Sequence, residues 1–150
     1  MLWNILGTSA AQIDMPDQAI IALKKVISLK PDYAEVYVNL AVLLQKQGKL
    51  DEAIEACNKA VLLKPGNTNA YYNMGNVLKD QGKLDEAVEA YNKAISLNPD
   101  HADAYNNMGI THQRQGKLDE AIEAYNKTIL INPVYPLVHN NLGNALLQTG

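Results

Sequence analysis

Three copies of one segment, at a constant spacing, dominate this sequence. The segment reads QGKLDEAIEACNKA at residues 47–60, QGKLDEAVEAYNKA at 81–94 and QGKLDEAIEAYNKT at 115–128. The copies begin 34 residues apart, and four prolines keep the same step: Pro31, Pro65, Pro99 and Pro133. A fixed period of this length predicts an array of repeated helical or mixed units, each packing on its neighbours.

The repeated proline fixes where each unit begins and ends. With that proline at place 32, the chain divides into a degenerate unit, three full units and a half unit: 1–33, 34–67, 68–101, 102–135 and 136–150. The first unit lacks only place 1. We expect one continuous array over the 150 residues, and we expect it to be a segment of a longer protein.

The unit at residues 68–101 carries two amphipathic helix patterns. Apolar or small residues recur at helical spacing in each half: Tyr71, Met74, Gly75 and Leu78, then Leu84, Ala87, Val88, Tyr91, Ala94 and Ile95. Gly82 lies between the halves, where a helix end favours a residue free to adopt positive φ. Asp85 and Glu86 suit the first turn of the second helix, and Pro99 ends it. Each unit is therefore predicted to be two antiparallel helices, packed closely where Gly75 and Ala87 leave little bulk.

The two ends of the chain depart from this pattern. In the first unit Asp14 replaces the turn glycine and Pro16 replaces the leucine that follows it, so we expect a helix pair with an altered turn. At the other end we predict a last helix over about residues 136–148 with no second helix after it. Its apolar face carries three leucines: Leu142, Leu146 and Leu147. Because solenoid ends normally need a polar cap, this face favours either continuation of the chain or self-association through the terminal helices.

Composition excludes several classes of partner. The net charge is −3, which gives no basic face for nucleic acid. No apolar run approaches the roughly 18–20 residues of a membrane span, and the first residues lack the basic start of a signal peptide. The single cysteine, Cys57, fits a reducing compartment. We therefore expect a cytoplasmic protein that binds neither nucleic acid nor membranes.

No residues are spaced for catalysis or metal binding. His101, His112 and His139 share no ligand spacing with one another or with Cys57, which stands where neighbouring units place tyrosine. Acidic pairs such as Asp85–Glu86 recur at every second helix, which indicates support of the helix start and a solvated face. No glycine-rich phosphate loop is present. We expect a protein that is not an enzyme and that has no metal site and no cofactor.

The repeated places resemble those of the tetratricopeptide repeat family over the whole chain. Place 4 carries Trp3, Tyr37, Tyr71, Tyr105 and His139; place 8 carries Gly7, Ala41, Gly75, Gly109 and Gly143; place 20 carries Ala19, Ala53, Ala87 and Ala121. The resemblance implies an all-α, right-handed solenoid of four repeats plus one terminal helix. It also implies a non-catalytic interaction scaffold that binds a peptide or protein segment on its concave face, which the first helix of each pair lines.

Asparagines dominate the places that we predict to face this groove. Place 6 carries Asn39, Asn73, Asn107 and Asn141; place 5 carries Tyr72, Asn106 and Asn140; place 9 carries Asn76 and Asn144. A carboxamide offers donors and an acceptor, so a row of them can match the backbone of an extended peptide. The row resembles the asparagine ladder in the repeat arm of O-linked N-acetylglucosamine transferases. Glu35 and Asp103, at place 2, predict weak or absent binding of peptides with acidic tails.

The recurrence of asparagine has two further interpretations at the level of sequence. The asparagines could recur because the unit was copied, or because they bond neighbouring helices and stabilise the stack. The chain could also be a structural segment that assembles with its own copies, or the substrate-recognition arm of a larger transferase.

Overall fold

A computed structural model describes residues 15–150 as eight α-helices, with no strand in that range. We number them α1 Pro16–Leu29, α2 Ala34–Lys46, α3 Leu50–Leu63, α4 Thr68–Asp80, α5 Leu84–Leu97, α6 Ala102–Arg114, α7 Leu118–Ile131 and α8 Val138–Thr149. The all-α prediction is confirmed. The first helix expected in the degenerate unit, the turn at Asp14 and Trp3 lie outside the described residues. Pro16 begins α1, as its place near a helix start predicts.

The turn inside each full unit is built on a left-handed glycine. Gly48, Gly82 and Gly116 have φ values of 72°, 77° and 75°. Glycine adopts this conformation without the steric cost of a Cβ atom, so the chain reverses within a few residues. The predicted pairs of antiparallel helices follow from these turns.

The glutamine before each turn glycine joins its unit to the one before. Its Nε2 donates to an aspartate at the start of the preceding second helix: Gln47 to Asp17 at 2.6 Å, Gln81 to Asp51 at 2.8 Å and Gln115 to Asp85 at 2.8 Å. These aspartates also lie in the first helical turn, where their charge opposes the helix dipole. The aspartate of the acidic pair therefore has two structural roles.

The first helices lie on the inner side of the stack. Helix α2 contacts α4, α4 contacts α6, and α6 contacts α8. The second helices α1, α3, α5 and α7 make no such contact with one another within residues 15–150. A stack whose members approach more closely on one side curves toward that side, so the first helices line the concave surface.

Within a pair, glycine in the first helix accommodates a tyrosine ring from the second. A Cβ atom built on Gly75 would lie 2.5 Å from Cε1 of Tyr91, and one on Gly109 would lie 2.6 Å from Cε1 of Tyr125. The unit at 34–67 has Ala41 and Cys57 at the same places, both fully buried. Ala87, which the sequence analysis paired with Gly75, is fully buried. The Tyr91 ring, which it did not name as a neighbour, is the group nearest to a Cβ atom on Gly75.

The last helix begins later than predicted. The expected range was about 136–148, whereas α8 covers Val138–Thr149. Leu137 has a φ of 64°, and this left-handed conformation cannot belong to a right-handed helix. The first helices of the full units begin at place 1, but here place 1 is Pro136 and the helix starts only after Leu137.

No helix within residues 15–150 combines the length and the apolar character needed to cross a bilayer.

The pairing of Gly75 with Tyr91 generates a stability prediction. Gly75→Ala should lower the free energy of unfolding by about 1–3 kcal/mol, because the new methyl group meets the ring. Tyr91→Cys should cost less in the Gly75→Ala background than in the parent, because the double variant reproduces the Ala41–Cys57 pair. Urea unfolding of the four proteins measures this coupling. Strictly additive costs would contradict the direct contact.

Candidate functional site

The asparagines at place 6 reach across to the preceding first helix. Asn107 Nδ2 donates to Tyr72 Oη at 3.1 Å and to Asn76 Oδ1 at 2.9 Å. Asn141 Nδ2 donates to Asn106 Oδ1 at 3.3 Å. The side chains selected from the sequence therefore do meet, and they meet one another. These bonds support the interpretation in which asparagines stabilise the stack.

The centre of the groove is an aromatic and amide cluster around Tyr72. Its ring centroid lies 4.8 Å from that of His101 and 6.2 Å from that of Tyr91. Tyr91 Oη donates to Asn76 Oδ1 at 2.8 Å, on the same oxygen that receives the Asn107 amide. Burial raises the pKa of Tyr91, so its hydroxyl remains a proton donor across the physiological range. The cluster thus connects a core tyrosine to the groove surface.

The nine candidate residues differ in how far they are open to solvent. Asn73 and Asn106 are buried, with exposed fractions of 8% and 7%. The others are half-buried (Asn39, Tyr72, Asn76, Asn107 and Asn141) or exposed (Asn140 and Asn144). Helical place alone did not distinguish these cases, because the bulk of the neighbouring units decides exposure.

Asn73 differs from its counterparts in its hydrogen bonding. The bonds of Asn107 and Asn141 each reach a polar side chain 35 residues earlier. For Asn73 that place holds Val38, which offers neither donor nor acceptor. Within residues 15–150 no hydrogen bond reaches the Asn73 carboxamide. The enclosed side-chain atoms that lack a partner, among the described residues, are Gln47 Oε1 and Gln81 Oε1 and not the Asn73 amide. The Asn73 amide is therefore still open to solvent at the groove and has hydrogen-bonding capacity that the protein does not use.

A second row of polar residues lies at place 2. These residues were named in the sequence analysis, but their contacts were not predicted. Glu35 Oε1 accepts from Asn67 Nδ2 at 3.2 Å and lies 3.4 Å from Lys64 Nζ. Asp103 Oδ1 accepts from Tyr135 Oη at 2.5 Å. Asn67 and Tyr135 share place 34, so the recurrence of polar residues at places 2 and 34 was the signal available in the sequence.

The residues considered for chemistry have structural roles. Within the described part of the chain no three histidine, cysteine or acidic side chains are grouped to hold a metal ion. His101 Nδ1 accepts from the Ala104 amide at 3.3 Å and caps α6, and His112 Nδ1 lies 3.1 Å from Gln115 Oε1. Cys57 is fully buried, and burial raises its pKa to about 12. A thiol in this state is a poor nucleophile.

Solved structures with the same fold are found at appreciable sequence identity. A crystal structure of MamA is 33% identical, with a TM-score of 0.88 over 96% of this chain and 84% of that one. PilF of Pseudomonas aeruginosa is 25% identical, with a TM-score of 0.91 over 99% of this chain and 68% of that one. YrrB, described as a TPR protein with an unusual peptide-binding site, is 26% identical, with a TM-score of 0.80 over 89% and 69%. Comparison with curated proteins gives no match.

Family profiles cover nearly all of the described chain. Those described as TPR repeat match residues 17–48, 75–116 and 114–150, and those described as tetratricopeptide repeat match 34–67 and 56–89. The helix pairs, the turn glycines and the stacked first helices are consistent with these matches. The chain belongs to the tetratricopeptide repeat family.

Proposed function

We propose that this protein is a non-catalytic scaffold that binds an extended peptide or protein segment along the inner faces of α2, α4, α6 and α8. The family has protein partners, and YrrB, a structural relative, is described as having a peptide-binding site. The groove offers amide and hydroxyl groups along its length, with no concentration of one charge. Such a surface suits a polypeptide backbone better than a nucleic acid.

The Asn73 carboxamide carries this proposal. It lies on the inner face of α4, it keeps an exposed fraction of 8%, and no other described side chain or backbone group satisfies it. A peptide backbone group supplies both an acceptor for its N–H and a donor for its oxygen. Binding would therefore exchange the solvent contacts of this amide for hydrogen bonds to the peptide.

The remaining asparagines divide into two groups. Asn140 and Asn144 are exposed and make no side-chain hydrogen bond within residues 15–150, so they are free to contact a ligand. Asn76, Asn106, Asn107 and Asn141 are bonded to groups of neighbouring helices. These four position the groove wall, and Asn107 uses both N–H groups in doing so. Asn39 also has an interaction in the folded protein.

We place this activity in the cytoplasm. Cys57 is a free, buried thiol, which is consistent with a reducing compartment. The net charge of −3 disfavours nucleic acid as a partner.

Self-association is the second candidate function, and exposed leucines on α8 favour it. Leu146 and Leu147 have exposed fractions of 50% and 81%, on a helix that packs against α7 with its other face. Two copies that bury these side chains against each other would remove apolar surface from water.

Light scattering over a concentration series tests this second candidate. If α8 mediates association, the mass should rise with concentration, and Leu147→Glu should return it to that of a monomer. Ile21→Glu, a matched change at an exposed apolar residue of α1, should leave the mass unchanged. A monomer at every concentration would contradict association and leave the peptide scaffold as the function.

Removal of the Asn73 amide should weaken peptide binding without affecting stability. Peptides are selected from a displayed random library on the parent protein, and their affinities are measured by fluorescence anisotropy. We expect Asn73→Ala to weaken them about three- to tenfold, the range for one hydrogen bond. Asn92→Ala, on the exposed face of α5, is the control and should bind as the parent does. Failure to select any peptide, or equal affinities for both variants, would overturn the proposal.

Asn107→Ala should behave differently, because this side chain is bonded within the protein. Loss of its bonds to Tyr72 and Asn76 should lower the free energy of unfolding by about 1–2 kcal/mol. Asn73→Ala should change it by less than about 0.5 kcal/mol, because no bond is lost. Urea unfolding curves of the two variants make the comparison. Equal destabilisation by both would show that the assignment of these two roles is wrong.

A further inference from the structure

The two acidic residues of the groove differ in what neutralises them. Glu35 has an internal cation, since Lys64 Nζ lies 3.4 Å from its Oε1. Lys64 stands at place 31, where the unit at 102–135 has Asn132. The Asn132 side chain instead accepts from the backbone N–H of Val134 at 3.2 Å. Within residues 15–150 no lysine, arginine or histidine forms an ion pair with Asp103.

An aromatic ring is hydrogen-bonded to this unpaired carboxylate, and a second lies near enough to feel its charge. Tyr135 Oη donates to Asp103 Oδ1 at 2.5 Å, which ties its ring to the carboxylate. Burial, and after it the nearby Asp103 carboxylate and Tyr72, raise the pKa of Tyr135. Burial is also the main cause that raises the pKa of Tyr72, and Asp103 adds to it. Both tyrosines are therefore neutral rings within electrostatic reach of one negative charge.

Hydrogen bonds connect Tyr72 and Tyr135 to side chains on one face of α6. Asp103, Asn107 and Ile110 are spaced along one face of α6, and Asn107 on that face bonds Tyr72 across to α4. Tyr135 closes the cluster from the segment between α7 and α8. The carboxylate of Asp103 is exposed, so a side chain arriving along the groove can reach its second oxygen.

We propose that Asp103, Tyr72 and Tyr135 form a subsite for one lysine or arginine side chain of the bound peptide. The inference rests on the proposed function, because the cation arrives as part of that peptide. A carboxylate accepts charge-assisted hydrogen bonds from an ammonium or guanidinium group, and the faces of tyrosine rings attract a cation. Lys64 on Glu35 is an example, inside this same chain, of the pairing that the peptide would make at Asp103.

The subsite fixes where along the groove the basic residue belongs. Place 2 holds Asn69 in the unit at 68–101 and Leu137 after the unit at 102–135, neither of which carries a charge. Glu35 carries one, but Lys64 already pairs with it. Among residues 15–150, Asp103 is thus the only acidic residue at place 2 that has no ion pair within the protein. A cation from a bound peptide can therefore pair with it. Selected peptides should therefore prefer a basic residue at a single position.

Peptide selection tests the subsite directly. A displayed library of random peptides is selected on the parent protein, on Asp103→Asn and on Asn132→Lys. The asparagine of Asp103→Asn keeps an acceptor for Tyr135 but loses the charge. Asn132→Lys keeps the carboxylate and supplies it with an internal ammonium group, as Lys64 does for Glu35. We expect a lysine or arginine preference at one position for the parent and none for either variant.

Affinities of individual peptides quantify the effect. A selected peptide and its analogue with glutamine in place of the basic residue should differ about three- to tenfold on the parent. They should bind Asp103→Asn equally. The difference should shrink as salt is added, because the carboxylate is exposed. Lys64→Asn should release Glu35 and create a second preferred basic position. Thermal melts of each variant establish that the fold is kept.

The outcomes separate the two proposals. If peptides are selected but show no basic preference on the parent, or if Asp103→Asn retains that preference, the subsite is overturned while the peptide groove stands. If no peptide is selected on any of the proteins, both proposals fail. A preference that is lost in Asp103→Asn and in Asn132→Lys supports the subsite.

Discussion

The packing of a tyrosine ring onto a glycine of the facing helix links the interior of this protein to its groove. The ring of Tyr91 occupies the space that a Cβ atom on Gly75 would need, and this sets how closely α4 and α5 approach. Its hydroxyl then reaches Asn76, which also receives the amide of Asn107 from the next first helix. Core packing and groove geometry are therefore not independent. A change in the ring would displace a hydrogen-bonded chain that ends at the inner surface of the stack.

Much of the fold could be predicted from the sequence because it depends on local rules. The spacing of apolar residues predicted the helix pairs, and Gly82 predicted the turn between them. Both features depend on the conformational preferences of a few neighbouring residues. The start of α8 could not be predicted in the same way. Leu137 has a left-handed backbone conformation, which leucine rarely adopts. The contact of Gly75 with the Tyr91 ring was not predicted either, because Tyr91 and Ala87 lie on the same side of α5 and their spacing does not show which is nearer.

The candidate site was less predictable than the fold, because its properties arise where the units differ. The pattern placed the asparagines on one face, but their roles depend on residues 35 positions earlier. Tyr72 and Asn106 give partners to Asn107 and Asn141, whereas Val38 gives none to Asn73. Likewise, Lys64 pairs with an acidic residue and Asn132 does not. The common residues build the scaffold, and the exceptions to them give the groove its individual contacts.

The bonds between turn glutamines and helix-start aspartates have a consequence for how such a protein can lengthen. Each full unit carries its own glutamine donor and its own aspartate acceptor. The glutamine bonds to the preceding unit, and the aspartate is available to the glutamine of the unit that follows. A duplicated unit of 34 residues inserted into the array would find a matching group on both sides without any further mutation. The interface between units is thus inherited with the unit itself. Tandem duplication can extend such a chain in one genetic step, and later substitutions can then diversify the groove.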